Sequence, residues 1–473
     1  MKKESRNIAP EKNFRLQKAL AAMQEPKCVQ EVQELLERNE KGFVKNSLSN
    51  CVTVFRYDPL LCGNIRYNLL TQKVDILKDL GWKREDCTNS ITDNDVHNIH
   101  LYLEQTYSLT QVKLIEEALH LVAHDNEYHP IREHLNHLQW DGKERVRYAL
   151  NRFLGAEISD YTCELLKFFM LGAIHRAFNP GCKFDYILCL VGEQGIGKSS
   201  FFRFLSCKDE WFSDDLKNLE SETVFQKMAG HWIIELAEML ATYNAKSNEA
   251  TKAFLSRQKE TFRTPYERYP KDRPRQCVFG GTTNTIAFLP HDRSGNRRFM
   301  PIRCHQENVV CNLLENEEES RAYFEQMWAE VMEIYRNENP PLKLSEEMEA
   351  TLEVRRKEFM QEDVDAGLIL AFMTDTDKNR VCSKLLYREA LDHPYGDPKR
   401  WQTNDICEIV NQLIADGRLI GWQRFNSPKR ILGYGTQKGW ERIPSGDVNQ
   451  QASTDASFMP VPDQLELPFT LDS

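Results

Sequence analysis

At 473 residues, with 28% charged and 41% hydrophobic residues, the chain has the makeup of a multidomain globular protein. Its formal net charge of −10 excludes a protein that coats nucleic acid with its whole surface, so any such contact must come from a local basic patch. No segment approaches the ~18 consecutive apolar residues of a membrane span, and the charged start MKKESRNIAPEKNF lacks a signal-peptide core, so a cytoplasmic protein without a membrane partner is expected.

Residues 1–125 read as a mostly helical N-terminal region. A helical pattern occupies VQEVQELLERNEKG, β-like stretches such as CVTVFRYD follow, and helical spacing returns in DNDVHNIHLYLEQTY and TQVKLIEEALHLVAHD, with Asp93 and Thr110 as expected N-caps. Residues 126–182 continue as a helical collar, and 183–305 alternate short strands with helices, the pattern of a parallel α/β domain. A helical extension spans 306–364, in RAYFEQMWAEVMEIYR and LSEEMEATLEVRRKEFM. Residues 365–443 give two short helices, the second capped by Thr403, and then a β-ribbon, the order of a winged helix. The last thirty residues hold five acidic residues and no Lys or Arg, which predicts a disordered tail over 444–473. Thirteen scattered cysteines contain no C-x-x-C pair, and Cys182 and Cys189 lack histidines at ligand spacing, so neither a zinc site nor disulfides are expected.

The strongest chemical signal is LVGEQGIGKSSF. Gly192, Gly195 and Gly197 let successive backbone N–H groups converge on an anion, and the helix that follows adds its positive end. Lys198 is placed to reach the terminal phosphates of a nucleoside triphosphate, with Ser200 beside it, and the Ser199 hydroxyl to ligate Mg²⁺. The apolar run Tyr186–Val191 before it and the helical SSFFRFL after it supply the context this motif requires. ATP and Mg²⁺ are therefore the expected ligands. In HWIIELAEM, Glu235 and Glu238 follow an apolar strand; Glu235 is expected on the metal side and Glu238 as general base, with the roles exchangeable. The strand Gln276–Thr285 ends in Thr282, Thr283 and Asn284, and Asn284 is placed to position a water against the γ-phosphate. Arg297 or Arg298, in DRSGNRRFMPI, is a candidate to neutralise charge on the transferred phosphoryl group across a subunit boundary.

These elements resemble the virulence-associated protein E family, phage- and island-encoded P-loop ATPases similar to superfamily 3 replicative helicases. The resemblance covers roughly residues 125–305, in HPIREHLNHLQWDGKERV, NPGCKFDYILCLVGEQGIGKSSFF, WIIELAEM, KAFLSRQKETFRTPYER and GTTNTIAFLPHDRSGNRRFMPI. It implies an AAA+-like P-loop core, ATP hydrolysis in a homo-hexamer or other ring, Asn284 as sensor and Arg297 or Arg298 as the trans-acting finger. Superfamily 3 members often carry adjacent acids where this chain has glutamates three apart.

Between Ala250 and Gln276, eight basic residues face three acidic ones. Lys252, Arg257, Arg263 and Arg268, with Tyr266 among them, combine phosphate-binding cations and a stacking ring, as a single-strand channel does. The resemblance places this segment where superfamily 3 helicases carry their pore-facing DNA element. Lys399, Arg400, Lys429 and Arg430 are candidate duplex contacts on the winged helix, a module that binds duplex DNA or other proteins. In the tail, QLELPF resembles the hexapeptide by which bacterial replication proteins dock on the sliding clamp, with Leu465, Leu467 and Phe469 as apolar anchors and Gln464 as the polar contact. No Asp-x-Asp primase constellation occurs upstream. The expectation is an ATP-driven DNA motor of a phage or mobile element, a replicative helicase by its resemblance, against a DNA-bound ATPase switch that loads or regulates other factors or acts in phage defence without unwinding.

Overall fold

The computed structural model describes residues 25–84, 89–216, 219, 224–237, 245–262, 271–289, 296–360 and 363–443. The chain divides into two compact units, Met1–Gln361 and Glu362–Ser473.

The first unit begins with α1 (Val29–Leu35), α2 (Leu48–Tyr57), the antiparallel hairpin β1 (Ile65–Asn68) and β2 (Lys73–Ile76), then α3 (Asp93–Tyr107) and α4 (Val112–Asp125). The stretch CVTVFRYD, expected as a strand, lies within α2. Its β-branched residues suggest a strand, yet Cys51, Val54 and Phe55 fall on one helical face and are buried, and the Ser47 hydroxyl caps the start by accepting from Asn50 N. Two other caps differ by one position. Thr92, not Asp93, caps α3, because a capping box forms between Thr92 and Asp95. Gln111 precedes α4 without a side-chain cap, and Thr110 instead donates its amide to Asn46 Oδ1 at 2.7 Å.

Helices α5 (Pro130–His137), α6 (Val146–Leu154) and α7 (Asp160–Phe178) lead into a mixed α/β core whose centre is a five-stranded parallel sheet. Its strands are β3 (Ile187–Val191), β4 (Phe212–Ser213), β5 (Ile233–Leu236), β8 (Val278–Thr283) and β9 (Phe299–Arg303), in the spatial order β4-β5-β8-β3-β9. Every residue of β3, β5 and β8 is buried, as expected where helices cover both faces of a parallel sheet. Between strands lie α8 (Lys198–Leu205), α9 (Val224–Met228), α10 (Ala245–Ser256) and an antiparallel hairpin, β6 (Lys259–Phe262) with β7 (Lys271–Pro274); α11 (Glu317–Glu338) and α12 (Glu346–Lys357) follow. Two indoles tie these layers together. Trp232 and Trp328 lie 4.4 Å apart, Trp232 Nε1 donates to Ala173 O in α7, and Trp328 Nε1 donates to Leu205 O at the end of α8.

The second unit has α13 (Val364–Asp375), β10 (Arg380–Cys382), a helical stretch over 383–390, α14 (Arg400–Ala415), β11 (Trp422–Arg424), a small hairpin of β12 (Lys429–Ile431) and β13 (Gly435–Gln437), and β14 (Gly439–Arg442). β14 pairs antiparallel with both β10 and β11 in a three-stranded sheet. Thr403 sits inside α14 rather than at its cap. The helix starts three residues earlier because the Gln402 side chain accepts from the Lys399 amide, closing the first turn.

Candidate nucleotide site

The loop after β3 takes its shape from contacts on both sides. Gly192 N donates to Thr283 O at 3.1 Å, and Cys304 N donates to Val191 O at 2.7 Å, so the loop leaves the sheet between β8 and β9. A Cβ on Gly192 would lie 2.6 Å from the Cys304 carbonyl oxygen, which restricts the position to glycine. Gly197, at φ +101°, turns the chain directly into α8, whose first residue is Lys198.

Lys198 is 7% exposed and its ammonium is fully used. Nζ donates to Gly192 O at 2.7 Å, Glu193 O at 2.5 Å and Asn284 Oδ1 at 3.0 Å. Burial pulls its pKa below the usual lysine value. These partners are neutral oxygens, which phosphate oxygens would replace with stronger charge-assisted bonds. Asn284, just past β8 and exposed, is thereby placed directly on the loop lysine.

Glu235 lies within β5 and is completely buried. Both neighbouring hydroxyls converge on one oxygen: Ser199 Oγ donates to Oε1 at 2.7 Å and Thr282 Oγ1 at 2.5 Å. Among the described residues its other oxygen, Oε2, meets no donor. Burial drives the Glu235 pKa up, and the two hydroxyls and Lys198 offset only part of that rise. A buried carboxylate with one unused oxygen, next to a P-loop serine, is the donor set expected for a hard cation, so these residues fit Mg²⁺. Glu238, the second acid of the motif, lies outside the described residues.

A cavity of about 740 Å³ opens over the loop, lined by Gly195, Gly197, Lys198, Ser199, Ser200 and Asn284 on one side. The facing wall is the segment 306–315 after β9, including Val309, Val310, Leu313 and Leu314. Sequence reasoning missed this wall, along with the role of Thr282. The signal available was a short apolar cluster, VVCNLL, in an otherwise polar connection. Val310 and Leu314 remain exposed apolar side chains, suited to the face of a base. Leu314→Asp is expected to raise the KM for ATP about tenfold, since burying an uncompensated polar group costs ~1–3 kcal/mol, while leaving the thermal midpoint unchanged.

The two arginines separate. Arg298 Nε donates to Asp185 Oδ2 at 3.1 Å and its Nη2 to Ser256 Oγ at 2.9 Å, a half-hidden pair that braces the bottom of the sheet. Arg297 is exposed, and its carbonyl accepts from Arg356. Because β9 runs parallel to β3 with Phe299 beside Ile187, both arginines lie at the strand ends opposite the loop. With ~3.3 Å per strand residue, that separation exceeds an arginine's reach.

The hairpin β6–β7 is pinned at its base. Arg275 and Glu260 form an ion pair with side chains 1% and 5% exposed, and Arg275 Nη1 also donates to Phe254 O at 2.8 Å in α10. Lys259 pairs with Asp272 across the hairpin. Part of the basic excess is therefore internal to the fold. Of the candidate DNA contacts, Lys252 is partly buried on α10, and Arg257 is exposed with its guanidinium 5.4 Å from the Phe225 ring centre. Arg263, Tyr266 and Arg268 lie outside the described residues, as do Gln464, Leu465, Leu467 and Phe469.

A parallel sheet with a glycine loop, a buried lysine at a helix start and a strand carboxylate facing the loop serine is compatible with a P-loop-like core. Residues 135–361 match the family described as Virulence-associated protein E-like domain, and the chain carries that domain. Two solved structures are similar to this chain, both described as the A form apo structure of the NrS-1 C terminal region. One is 13% identical, covers 79% of this chain and 95% of its own, and superposes with a TM-score of 0.41; the other is 15% identical over the same shares, with a TM-score of 0.38. No curated protein matches the chain. Among the described residues no helix is long and apolar enough to cross a membrane.

Proposed function

We propose that this chain is an ATP-hydrolysing DNA motor of a phage or mobile element, acting as a ring and unwinding DNA at replication. One observation carries the nucleotide part: Ser199 and Thr282 converge on Glu235 Oε1 while Oε2 stays unmatched, beside the loop lysine. In this reading Lys198 and the loop amides grip the β- and γ-phosphates. Ser199 and Glu235 hold Mg²⁺, which when bound offsets the charge of the phosphates. Asn284 positions a water so that its oxygen bonds to the γ-phosphorus as the bond to ADP breaks, with Glu238 proposed to take the proton. The segment 306–315 covers the base.

The ring is supported by Arg297, exposed at the sheet end its own loop cannot use. A guanidinium there serves a triphosphate held by a neighbouring copy, whereas Arg298 is engaged with Asp185 and is the weaker candidate. Lys252 and Arg257, beside the hairpin β6–β7 that the Arg275–Glu260 pair braces, are proposed with Arg263, Tyr266 and Arg268 as the single-strand contacts. In the second unit, a helix, a strand, two further helical segments and a strand–hairpin–strand ribbon support a winged-helix assignment. Lys429 there donates to Glu441 at 2.6 Å, so Lys399, Arg400 and Arg430 are its better phosphate contacts. The tail word QLELPF is proposed to dock on the bacterial sliding clamp.

The reading is tested by strand displacement on a forked duplex with ATP and Mg²⁺. Displacement by the native chain and none by its Arg297→Ala form is the expected result. DNA-stimulated hydrolysis without displacement would replace the motor by an ATPase switch.

A further inference from the structure

The second unit carries exposed rings that neither its core nor the nucleotide site uses. Tyr395 is 100% exposed and Trp401 64% exposed, and both belong to the segment HPYGDPKRW that joins the 383–390 helical stretch to α14. Tyr387 and Arg388 hold this segment in place. The His393 ring stacks on Tyr387 with centroids 4.4 Å apart, and the Gln402 side-chain amide donates to the Tyr387 hydroxyl at 3.4 Å. Arg388 Nε further donates to Gly396 O at 2.9 Å, and its Nη2 to Asp397 Oδ1 at 2.7 Å. Residues 393, 396, 397 and 402 are thus anchored by side-chain contacts, while Tyr395 and Trp401, adjacent to those anchors, stand in solvent.

The charges divide in the same way. Asp397 is neutralised by Lys384 and Arg388 together. Lys399 and Arg400, between the two rings, are exposed and form no ion pair among the described residues. Exposed rings with cations between them match unpaired bases, which offer an aromatic face whatever their identity.

We propose that the segment 393–402 is a stacking site for single-stranded nucleic acid, in which Tyr395 and Trp401 each pack against a base while Lys399 and Arg400 meet the intervening phosphates. The site stands on the second unit alone and requires neither ATP hydrolysis nor a ring. It adds a hold on the unpaired strand that is separate from the β6–β7 hairpin.

The test uses the full chain without nucleotide and a fluorescein-labelled twenty-residue oligothymidylate. Two stacked bases at ~1–3 kcal/mol each predict that Tyr395→Ala with Trp401→Ala weakens binding by at least about tenfold. The salt slope should stay unchanged in that double variant, since rings release no counterions, but should fall in Lys399→Ala with Arg400→Ala. Tyr395→Phe with Trp401→Phe should restore most of the affinity, and a duplex of equal length should bind the native and ring-less chains alike. A second readout keeps the outcome clear if the hairpin dominates total affinity: photocrosslinking to an oligonucleotide carrying 5-iodouridine, mapped by mass spectrometry, should label Tyr395 or Trp401. No crosslink in this segment together with unchanged affinity would overturn the proposal, as would an equal loss on duplex, which would assign the surface to double-stranded DNA. A Lys198→Ala chain that neither binds nor hydrolyses ATP should still crosslink here, which separates this site from the motor reading.

Discussion

Replacing Lys198 with alanine is expected to lower nucleotide affinity and turnover together by ~10²–10³-fold, because two charge-assisted contacts to phosphate at ~1.5–3 kcal/mol each disappear. The same change should leave the fold intact. The lysine is a buried cation resting on neutral oxygens, and burial holds its pKa down, so the nucleotide-free protein carries it at a cost. Equilibrium binding of a fluorescent ATP analogue and a thermal melt, run side by side, check both halves. A fall in the melting midpoint as large as the fall in affinity would mean that Lys198 serves packing rather than phosphate. Unaltered affinity would remove the nucleotide site altogether.

The Glu235→Gln chain should bind nucleotide but hydrolyse it ~10²–10³-fold more slowly, the usual loss when one preorganised electrostatic group is removed from a reacting phosphate. Its stability should move the other way. The folded-state pKa of Glu235 is raised, chiefly by burial, so the stabilising contribution of this carboxyl is complete below its unfolded pKa and is lost as pH rises through the folded value. Above the folded value the native chain holds a buried, half-satisfied charge that glutamine does not have. There the variant is expected to melt higher, at ~2–4 °C per kcal/mol for a domain of this size, and the gap should close as pH falls towards the ordinary carboxylate range. Protons and Mg²⁺ compete for the same oxygen, so stabilisation of the native chain by Mg²⁺ with a non-hydrolysable analogue should also weaken on acidification. A melting difference independent of pH would show that glutamine acts by packing and not by charge.

Much of the candidate nucleotide site was legible because its parts are local. The spacing of Gly192, Gly197, Lys198 and Ser199 is set by one turn between one strand and one helix, and each neighbouring apolar run is short enough to read as a buried strand. The same locality made α3, α4 and α11 readable from helical periodicity. Errors came where one local signal had two outcomes. CVTVFRYD has strand-forming residues at helical spacing, and the Ser47 cap with the burial of Val54 and Phe55 decides for the helix. Thr403 looked like a cap, but the Lys399 amide and the Gln402 side chain start α14 earlier.

Charge counting along the chain was the least informative guide. Eight cations between Ala250 and Gln276 suggested one continuous basic surface, yet Arg275 is sealed against Glu260 and Lys259 is matched by Asp272. The adjacent arginines 297 and 298 were equivalent on paper; folding buries one against Asp185 and leaves the other in solvent. Neither distinction has a local cause.

By itself the sequence determined that a glycine-rich turn follows a buried strand and opens a helix with a lysine and a serine, since backbone sterics and hydrophobic period act over a few residues. Only the tertiary structure decided that Thr282, Ser199 and Glu235 meet at one oxygen, that Asn284 reaches Lys198, and that the apolar segment 306–315 faces the loop. Those contacts join residues far apart in the chain, brought together by the strand order β4-β5-β8-β3-β9. Strand order follows from how all the helices pack on the sheet at once, and no short window of sequence contains that information.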